Sequence, residues 1–194
     1  MGPAYHYYSS VLGSTTLAVL PTALTESTIS YGSQARNAQL AYDASLPTGV
    51  PRAPLSVPWN PFSVGFIPHV MRNSCAMSGI RVLSEPSQRL ISMVPGIRDA
   101  PDAVVTFAAD FTASILSAAV SMPFNQCFNY LAVSPNAGLG DIGGFLRNQY
   151  FDDGRLSRRI IRDVFMRCAY IAPQLTTFVL IERTALGLAS GGVR

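Results

Sequence analysis

A glycine-rich loop is the segment of this sequence that comes nearest to a known site of enzymatic chemistry. Gly138, Gly140 and Gly143 have the spacing of the dinucleotide-binding fingerprint, and Asp163 follows further along the chain. In a nucleotide-binding enzyme these glycines directly follow a buried strand, and the acidic residue lies at the end of another strand. Here residues 134–137 form a Ser-Pro-Asn-Ala segment before the glycines, and Asp163 belongs to a helical, basic and apolar segment. We therefore expect no nucleotide site in this loop.

The remaining side chains of the kinds that perform catalysis or bind metals are few and scattered. Cys75, Cys127 and Cys168 show no Cys-x-x-Cys or histidine-paired spacing, and each lies in an apolar stretch, which indicates small buried side chains. His6 and His69 are too few and too far apart in the sequence to complete a ligand set or a catalytic triad. The sequence therefore predicts a protein that is not an enzyme, with no cofactor and no metal site.

Two arginines, Arg72 and Arg167, lie in apolar segments, where a charged side chain needs a polar partner or a wet cavity. One hypothesis is that they contact a solute in such a cavity. The alternative is a structural role, through hydrogen bonds to neighbouring carbonyl groups or an ion pair with Asp110, which lies in the middle of another apolar segment. We favour the structural role.

The composition indicates a chain that covers much of its surface with lipid or with partner proteins. Charged residues form 13% of the sequence and apolar residues 48%, whereas an average soluble domain has about 25% charged residues. The net charge is only +3, and the 14 basic residues are dispersed over apolar segments. Because nucleic-acid-binding proteins present a clustered basic face, we expect no nucleic-acid partner.

Four apolar segments are long enough to predict membrane-spanning helices, at about 7–31, 61–83, 101–130 and 159–189. Polar or charged residues interrupt each of them, and such residues face the interior of a helix bundle when the helices lie in lipid. We therefore expect four helices with polar faces around a shared interior. Small residues that recur at every fourth position predict close contacts between helices. These stripes are Ser10, Ser14 and Ala18 in the first segment, and Ala109, Ala113 and Ser117 with Ser114 and Ala118 in the third.

The sequence also repeats one pattern with a period of about a hundred residues. In each half an apolar helix kinks or ends at a proline, Pro21 or Pro123, and a second apolar helix follows after an intervening segment. In the second half this intervening segment, residues 135–154, has the apolar spacing of a short amphipathic helix. In the first half residues 43–61 are rich in proline and predict irregular structure.

This order of elements resembles the mitochondrial carrier family. Residues 140–154 are similar to the matrix helix of that family, residues 65–72 to the start of an even-numbered carrier helix, and Ser84-Glu85 to its ending. The resemblance implies an all-α integral membrane protein, an incomplete carrier barrel with about four transmembrane helices. These would form two helix–matrix helix–helix repeats, at 1–89 and 101–194, joined by a linker at 90–100.

Two departures from the carrier pattern bear on function. Carriers have an acidic residue two positions after the proline and a basic residue three positions further, and these charges pair between repeats to close the transport path. Ala23 and Glu26 occupy the positions in the first half, and Asn125 and Phe128 in the second, so those pairs cannot form. The sequence also has room for two of the three repeats that close a carrier barrel. We therefore expect a carrier-like membrane scaffold that has lost transport.

The resemblance carries the functional expectation. We expect a non-catalytic accessory subunit of a large complex of the mitochondrial inner membrane, either a respiratory-chain complex or the ATP synthase, with other subunits and membrane lipids as partners. The alternative is a carrier-type transporter of small anions that acts as an oligomer. Helix starts that expose backbone N–H groups bind phosphate, and the resemblance implies cardiolipin at Gly65, Gly138 and Gly140. The alternative for these glycines is a plain turn before a helix.

Overall fold

The computed structural model of the protein describes residues 2–47, 63, 65–97, 100–134 and 136–191. These residues are mostly helical, and one short hairpin accompanies the helices. The elements in chain order are α1 (Gly2–Leu12), α2 (Val19–Ser45), α3 (Phe66–Arg81), α4 (Ser84–Ile91), α5 (Asp102–Val133), α6 (Asp141–Tyr150), β1 (Phe151–Asp152), β2 (Arg155–Leu156) and α7 (Arg158–Gly191).

The first predicted helix is two helices, and its predicted end at Pro21 is wrong. Gly13 has φ +61, a left-handed conformation that ends α1, and residues 13–18 turn before α2 begins. Pro21 then lies in the first turn of α2, where a helix loses no hydrogen bond by lacking the proline N–H group. The stripe of Ser10, Ser14 and Ala18 is therefore not continuous: Ser10 is exposed, and only Ala18 is buried.

The other three predicted helices are confirmed as elements, with shifted ends, in α3, α5 and α7. Pro123 lies inside α5, as the repeat predicted, and Pro173 inside α7. In the segment predicted as irregular, residues 43–45 belong instead to α2, and residues 48–61 lie outside the described residues. Most of the predicted linker lies in the turns after α4, a helix that packs against α5.

The long helix α5 is the centre of the bundle, because α2, α3, α4 and α7 all pack against it. The small-residue stripe predicted for this helix is confirmed: Ala109, Ala113, Ser114, Ser117 and Ala118 are all buried. Helix α3 approaches α5 closely at Gly79. A Cβ atom at Gly79 would overlap with the Ser117 Cβ, and the Ser117 hydroxyl donates to the Cys75 carbonyl at 2.6 Å.

The amphipathic helix predicted at 135–154 is confirmed as α6, and its last residue, Tyr150, contacts both α5 and α7. The Tyr150 hydroxyl donates to the Asp163 carboxylate of α7 at 3.4 Å and lies 3.1 Å from the Met122 sulfur of α5. Burial, and then the Asp163 carboxylate, raises the pKa of the Tyr150 phenol, so the hydroxyl keeps its proton as a donor. The β1–β2 hairpin, which turns at Asp153-Gly154 with positive φ at both residues, leads directly into α7.

The apolar interior is divided into small clusters rather than one core. Tyr5, Ala18, Val19, Ala23 and Met77 form one cluster. Tyr31, Ala35 and Phe128 form a second, and Leu175 with Val179 a third. Polar side chains are buried as well, among them Thr22, Ser27, His69, Asn73, Ser114 and Ser121. Such groups remain buried only when their hydrogen bonds are satisfied.

One ion-pair cluster joins α1 to the ends of α3 and α7. Arg81 donates to both carboxylate oxygens of Glu182 at 2.6 Å, and its guanidinium lies 4.3 Å from the centre of the Tyr5 ring. His6 is 3.4 Å from the same carboxylate. Glu85 and Arg89 instead form an exposed pair within α4. An exposed pair such as Glu85–Arg89 contributes about 0–1 kcal/mol to stability. The Arg81–Glu182 pair is largely buried and is therefore the one that holds α3 against α7.

Two helices of the described residues are long and apolar enough to cross a membrane by length and composition, Asp102–Val133 and Arg158–Glu182. Both correspond to segments predicted as membrane spans. Helix α2 is too rich in Ser, Thr, Asn and Gln to meet the same description, and α3 is too short, with 16 residues.

The close approach of α3 and α5 gives a direct test of the packing. We expect Gly79→Ala to lower the free energy of unfolding by about 1–3 kcal/mol, because its Cβ would overlap with that of Ser117. Ser117→Gly should restore part of the loss in the double variant. The matched control is Gly144→Ala, since no atom lies within 4 Å of a Cβ built there.

Thermal unfolding of the protein in mild detergent measures these differences. A Gly79→Ala protein as stable as the Gly144→Ala protein would contradict the close contact.

Candidate functional site

A cavity of about 510 Å³ with a partly polar lining lies between α2, α3, α5 and α7. All four helices contribute polar side chains to its walls. These include Glu26 and Gln34 from α2, Arg72 from α3, Asn125 and Asn129 from α5, and Arg167 from α7. The floor is formed where α3 and α5 pack together, and α2 and α7 form the sides. A polar space of this size can hold water, a small solute or a side chain of another helix.

The centre of the cavity is a bridge between two cations. Arg72 Nη1 donates to Asn125 Oδ1 at 3.2 Å, and Arg167 Nη1 donates to the same oxygen at 3.1 Å. A guanidinium group has only donors, so the two arginines cannot bond to each other and share this one neutral acceptor. Asn125 therefore joins α3 to α7 through α5.

Arg72 is held by further buried groups of α3 and α2. Its Nη2 donates to His69 Nδ1 at 2.8 Å, and Asn73 Oδ1 accepts from both Nε and Nη2 at 3.4 Å. Because Nδ1 of His69 accepts, its Nε2 carries the hydrogen and donates to Ser30 Oγ at 3.1 Å. Asn73 Nδ2 donates in turn to Ser27 Oγ at 2.9 Å. This network fixes the Arg72 side chain, which is 8% exposed.

Arg167 is held more loosely. Its Nε donates to Ser121 Oγ at 3.4 Å, and its Nη1 to Asn125. Its Nη2 makes no hydrogen bond with any of the described residues, although the side chain lines the cavity. One edge of the Arg167 guanidinium group, with its Nη2 hydrogens, is thus available to an acceptor.

The acidic residues of the cavity do not neutralise the two arginines by direct contact. Within the described ranges no carboxylate forms an ion pair with Arg72 or Arg167. Asp163 accepts from Arg162 at 2.9 Å and from Tyr150. Glu26 lines the cavity, and its buried Oε2 has no hydrogen-bond partner in the described part of the chain. The cavity therefore holds two cationic groups with a neutral acceptor between them.

The predicted pairing of an arginine with Asp110 is wrong. Asp110 is buried, but it accepts a hydrogen bond from Ser84 of α4. It lies fifteen residues before Asn125 on the same helix, which corresponds to about 22 Å along the axis. The acceptor that Arg72 and Arg167 share is a side-chain amide, and their structural role stays a prediction. Asp110 instead joins α4 to α5.

The three glycines predicted to contact cardiolipin lie in different environments. Gly65 is buried, and a Cβ there would lie 2.9 Å from the Tyr31 hydroxyl, so its small size serves packing. The Gly138 N–H donates to Asp141 Oδ2 at 2.7 Å, so a carboxylate of the chain already binds that donor. Gly140 is exposed at the start of α6 and shares a surface depression of about 600 Å³ with Arg159. Lipid binding at these glycines stays a prediction.

The glycine-rich loop lacks the structural context of a dinucleotide site. It follows α5 rather than a strand, and Asp163 lies within α7. No group of three His, Cys, Asp or Glu side chains that could hold a metal ion occurs among the described residues. Cys127 is buried as predicted, and Cys75 and Cys168 are half-buried.

From the sequence, Asn125 was noted only because it occupies the position of the acidic residue in carriers. Its role as a hydrogen-bond acceptor was not predicted. Two facts could have indicated this role. An amide in an apolar helix needs a hydrogen-bond partner, and the carrier positions that are usually acidic offer the two arginines no carboxylate. The roles of Asn73 and Ser27 carry no comparable signal, because their contacts depend on the rotation of α2 against α3. Comparison of the chain with protein-family models, curated proteins and solved structures finds no match.

The shared acceptor predicts opposite effects for two substitutions of the same residue. Asn125→Leu leaves two buried guanidinium groups without their common acceptor, and we expect it to lower the free energy of unfolding by about 3 kcal/mol. Asn125→Asp places a carboxylate between the two arginines and should raise the unfolding temperature, because each arginine gains a charge-assisted hydrogen bond.

Asn148→Leu and Asn148→Asp are matched controls on the exposed surface of α6, and both should change stability little. Thermal unfolding in detergent distinguishes the variants. A stabilised Asn125→Leu protein, or an Asn125→Asp protein as unstable as Asn125→Leu, would contradict the bridge.

Proposed function

We propose that this chain is a carrier-derived, non-catalytic accessory subunit of a large complex in the mitochondrial inner membrane. The single observation that carries the proposal is the distribution of polarity in α5 and α7. Large apolar side chains are exposed along both helices, while hydrogen bonds from Arg167 and Thr176 join them on one side. This distribution suits a bundle in lipid, which requires that polar groups be satisfied inside the protein.

The outer surface of α7 illustrates the distribution most clearly. Phe165 is 68% exposed and Leu180 57% exposed, and they lie fifteen residues apart within the candidate span. The large apolar side chains exposed on this helix are Ile161, Phe165, Met166, Tyr170, Leu180 and Ile181. Exposed apolar area of this extent is rare on monomeric soluble proteins and typical of surfaces that contact lipid or another protein.

The boundary between α5 and α7 adds to this argument. A groove of about 690 Å³ runs between them and is lined almost entirely by apolar side chains, among them Phe111, Ile115, Phe165 and Pro173. Arg158 and Arg159 are exposed at the start of α7, next to the groove residues Ile160 and Ile161. An apolar groove with cations at one end fits a phospholipid. Cardiolipin at Gly140 and Arg159 belongs to this proposal.

The four-span arrangement is the finer part of the proposal. Helices α2 and α3 carry buried polar residues toward the same cavity as α5 and α7, which supports a common orientation in the membrane. With 16 residues, α3 is about 24 Å long and shorter than the roughly 30 Å of a bilayer core. We infer that neighbouring subunits cover these two helices, since the lipid alone would leave their charges unfavourably placed.

The proposal predicts how the protein behaves in native membranes. After gentle extraction of mitochondrial membranes, the protein should migrate on a native gel with subunits of the respiratory chain or the ATP synthase, and its depletion should reduce that complex. Migration as a small species, with every large complex at normal abundance, would exclude the accessory role.

The apolar outer surface is tested by one substitution with a conservative control. Phe165→Asp places a charge where we expect lipid, which costs about 3 kcal/mol of insertion free energy on biological scales. It should increase the fraction of protein that alkaline carbonate releases from membranes, whereas Phe165→Leu should not. Equal release of both variants would count against a lipid-facing position.

A second function is supported by a different observation, the free Nη2 group of Arg167 beside Arg72 in a polar cavity. Two cations near one neutral acceptor could bind a small anion, as an oligomeric anion transporter of the carrier type would require.

In reconstituted liposomes, transport would appear as anion exchange that Arg167→Gln removes and Arg89→Gln, at an exposed position, preserves. The absence of exchange across a broad set of anions would leave the accessory role as the sole proposal.

A further inference from the structure

We propose that the polar cavity is a docking site for a transmembrane helix of another subunit, and that this helix places a carboxylate against Arg167. The inference rests on the proposed function, because it requires a partner in the membrane. It identifies the kind of partner helix by its charge. Three features of the cavity support it: its open side, two arginines that form no ion pair with a carboxylate of the described residues, and the Arg167 Nη2 donor.

The cavity lies between two helices that leave one side free. Helix α2 packs on α3 and α5, and α7 packs on α5 and lightly on α3, whereas no comparable packing joins α2 to α7 among the described residues. Asn37 of α2 and Gln174 of α7 both line the cavity and are exposed. The space between the two helices is thus a trough whose rim carries amides.

A trough with such a rim is unfavourable against lipid tails, because amide groups without hydrogen bonds cost several kcal/mol in hydrocarbon. An apolar helix would leave these groups unsatisfied. A helix with a polar face would satisfy them, which selects a polar-faced partner helix.

The charges of the trough select an acid on that helix. Arg72 and Arg167 share the Asn125 amide, and no carboxylate of the described chain lies within ion-pair distance of either. Arg72 is surrounded by His69, Asn73 and Phe128, so a partner reaches it only in part. Arg167 offers its Nη2 hydrogens to the cavity. A carboxylate that accepts from Arg167 Nη2 would complete the neutralisation of the bridge.

The position of the acid on the partner follows from the geometry of α7. Gln174 lies seven residues after Arg167, which places it two turns, or about 10 Å, along the same face. A partner helix that lies along the trough and contacts Gln174 should therefore carry its Asp or Glu about two turns from that contact.

Site-specific photo-crosslinking tests the inference in the intact membrane. A benzophenone amino acid replaces Gln174 in one protein and Asn37 in another, and crosslinked peptides are sequenced by mass spectrometry. The control position is Ile29, which is on α2, is 75% exposed and lies outside the cavity lining. We expect both cavity positions to crosslink to one transmembrane helix that carries an acid about two turns from the Gln174 crosslink, and Ile29 not to do so.

Charge variants then test the ion pair. Arg167→Glu should lower the amount of partner that co-purifies by about tenfold or more, and replacement of the partner acid by Arg should restore it. Because Arg167→Glu could also affect folding, Asn125→Asp provides an independent measurement. Asn125→Asp places a carboxylate of the chain itself beside the arginines, and we expect the variant to remain folded. It should weaken the interaction with the partner, whereas Asn148→Asp should leave that interaction unchanged.

Several results would overturn the inference. They are crosslinks from Gln174 to lipid only, to a second copy of this chain, to residues 48–62 of the same chain, or to a helix without an acid near the contact. Unchanged co-purification of Asn125→Asp would also overturn it. Native gels of the same samples distinguish failure of the docking site from failure of the proposed function. Co-migration with a large complex but without such a crosslink would refute only the docking site. Migration as a small species without partners would refute the accessory role.

Discussion

The structure depends on the shared hydrogen bond of Arg72 and Arg167 to the Asn125 side-chain oxygen. Two cations are brought together inside an apolar bundle, where charge is costly unless it is paired. The bundle resolves this conflict with a neutral acceptor on its central helix and with the amide and imidazole groups around Arg72. This single bridge connects three of the long helices and gives the interior its polarity. The apolar contacts, in contrast, form separate small clusters, and Phe128 of one of them lies against Arg72.

The bridge is possible because the helix backbones approach closely. Small residues along α5 and Gly79 on α3 let these helices pack without intervening side chains. Longer side chains would hold α3 and α7 apart, and the two guanidinium groups would then not reach the same oxygen. Close packing and polar pairing are therefore two aspects of one arrangement. Where lipid surrounds a bundle, these are the forces available to hold helices together, because burial of apolar surface gains little.

The parts of the fold that the sequence predicted are those determined by local patterns. The period of apolar residues identified α6, the length of apolar runs identified α5 and α7, and the stripe of Ala109, Ala113 and Ser117 identified a contact face. The break in the first helix was misplaced because Pro21 was taken as a kink or an end. Proline is compatible with the first turn of a helix, and the break lies at Gly13. The partners of Arg72 and Arg167 could not be predicted from spacing, since they depend on how four helices rotate about their axes. Asp110 was the suggested partner because it lies in the middle of another apolar segment, but along α5 it lies about 22 Å from Asn125.

A cryo-electron microscopy map of the protein in its native complex tests the central claim most directly. The account predicts that α5 and α7 cross the membrane with Phe165 and Leu180 toward lipid, and that a neighbouring subunit fills the trough between α2 and α7 with a carboxylate beside Arg167. A chain located outside the membrane, or a trough that opens to water with no neighbouring helix, would contradict the account.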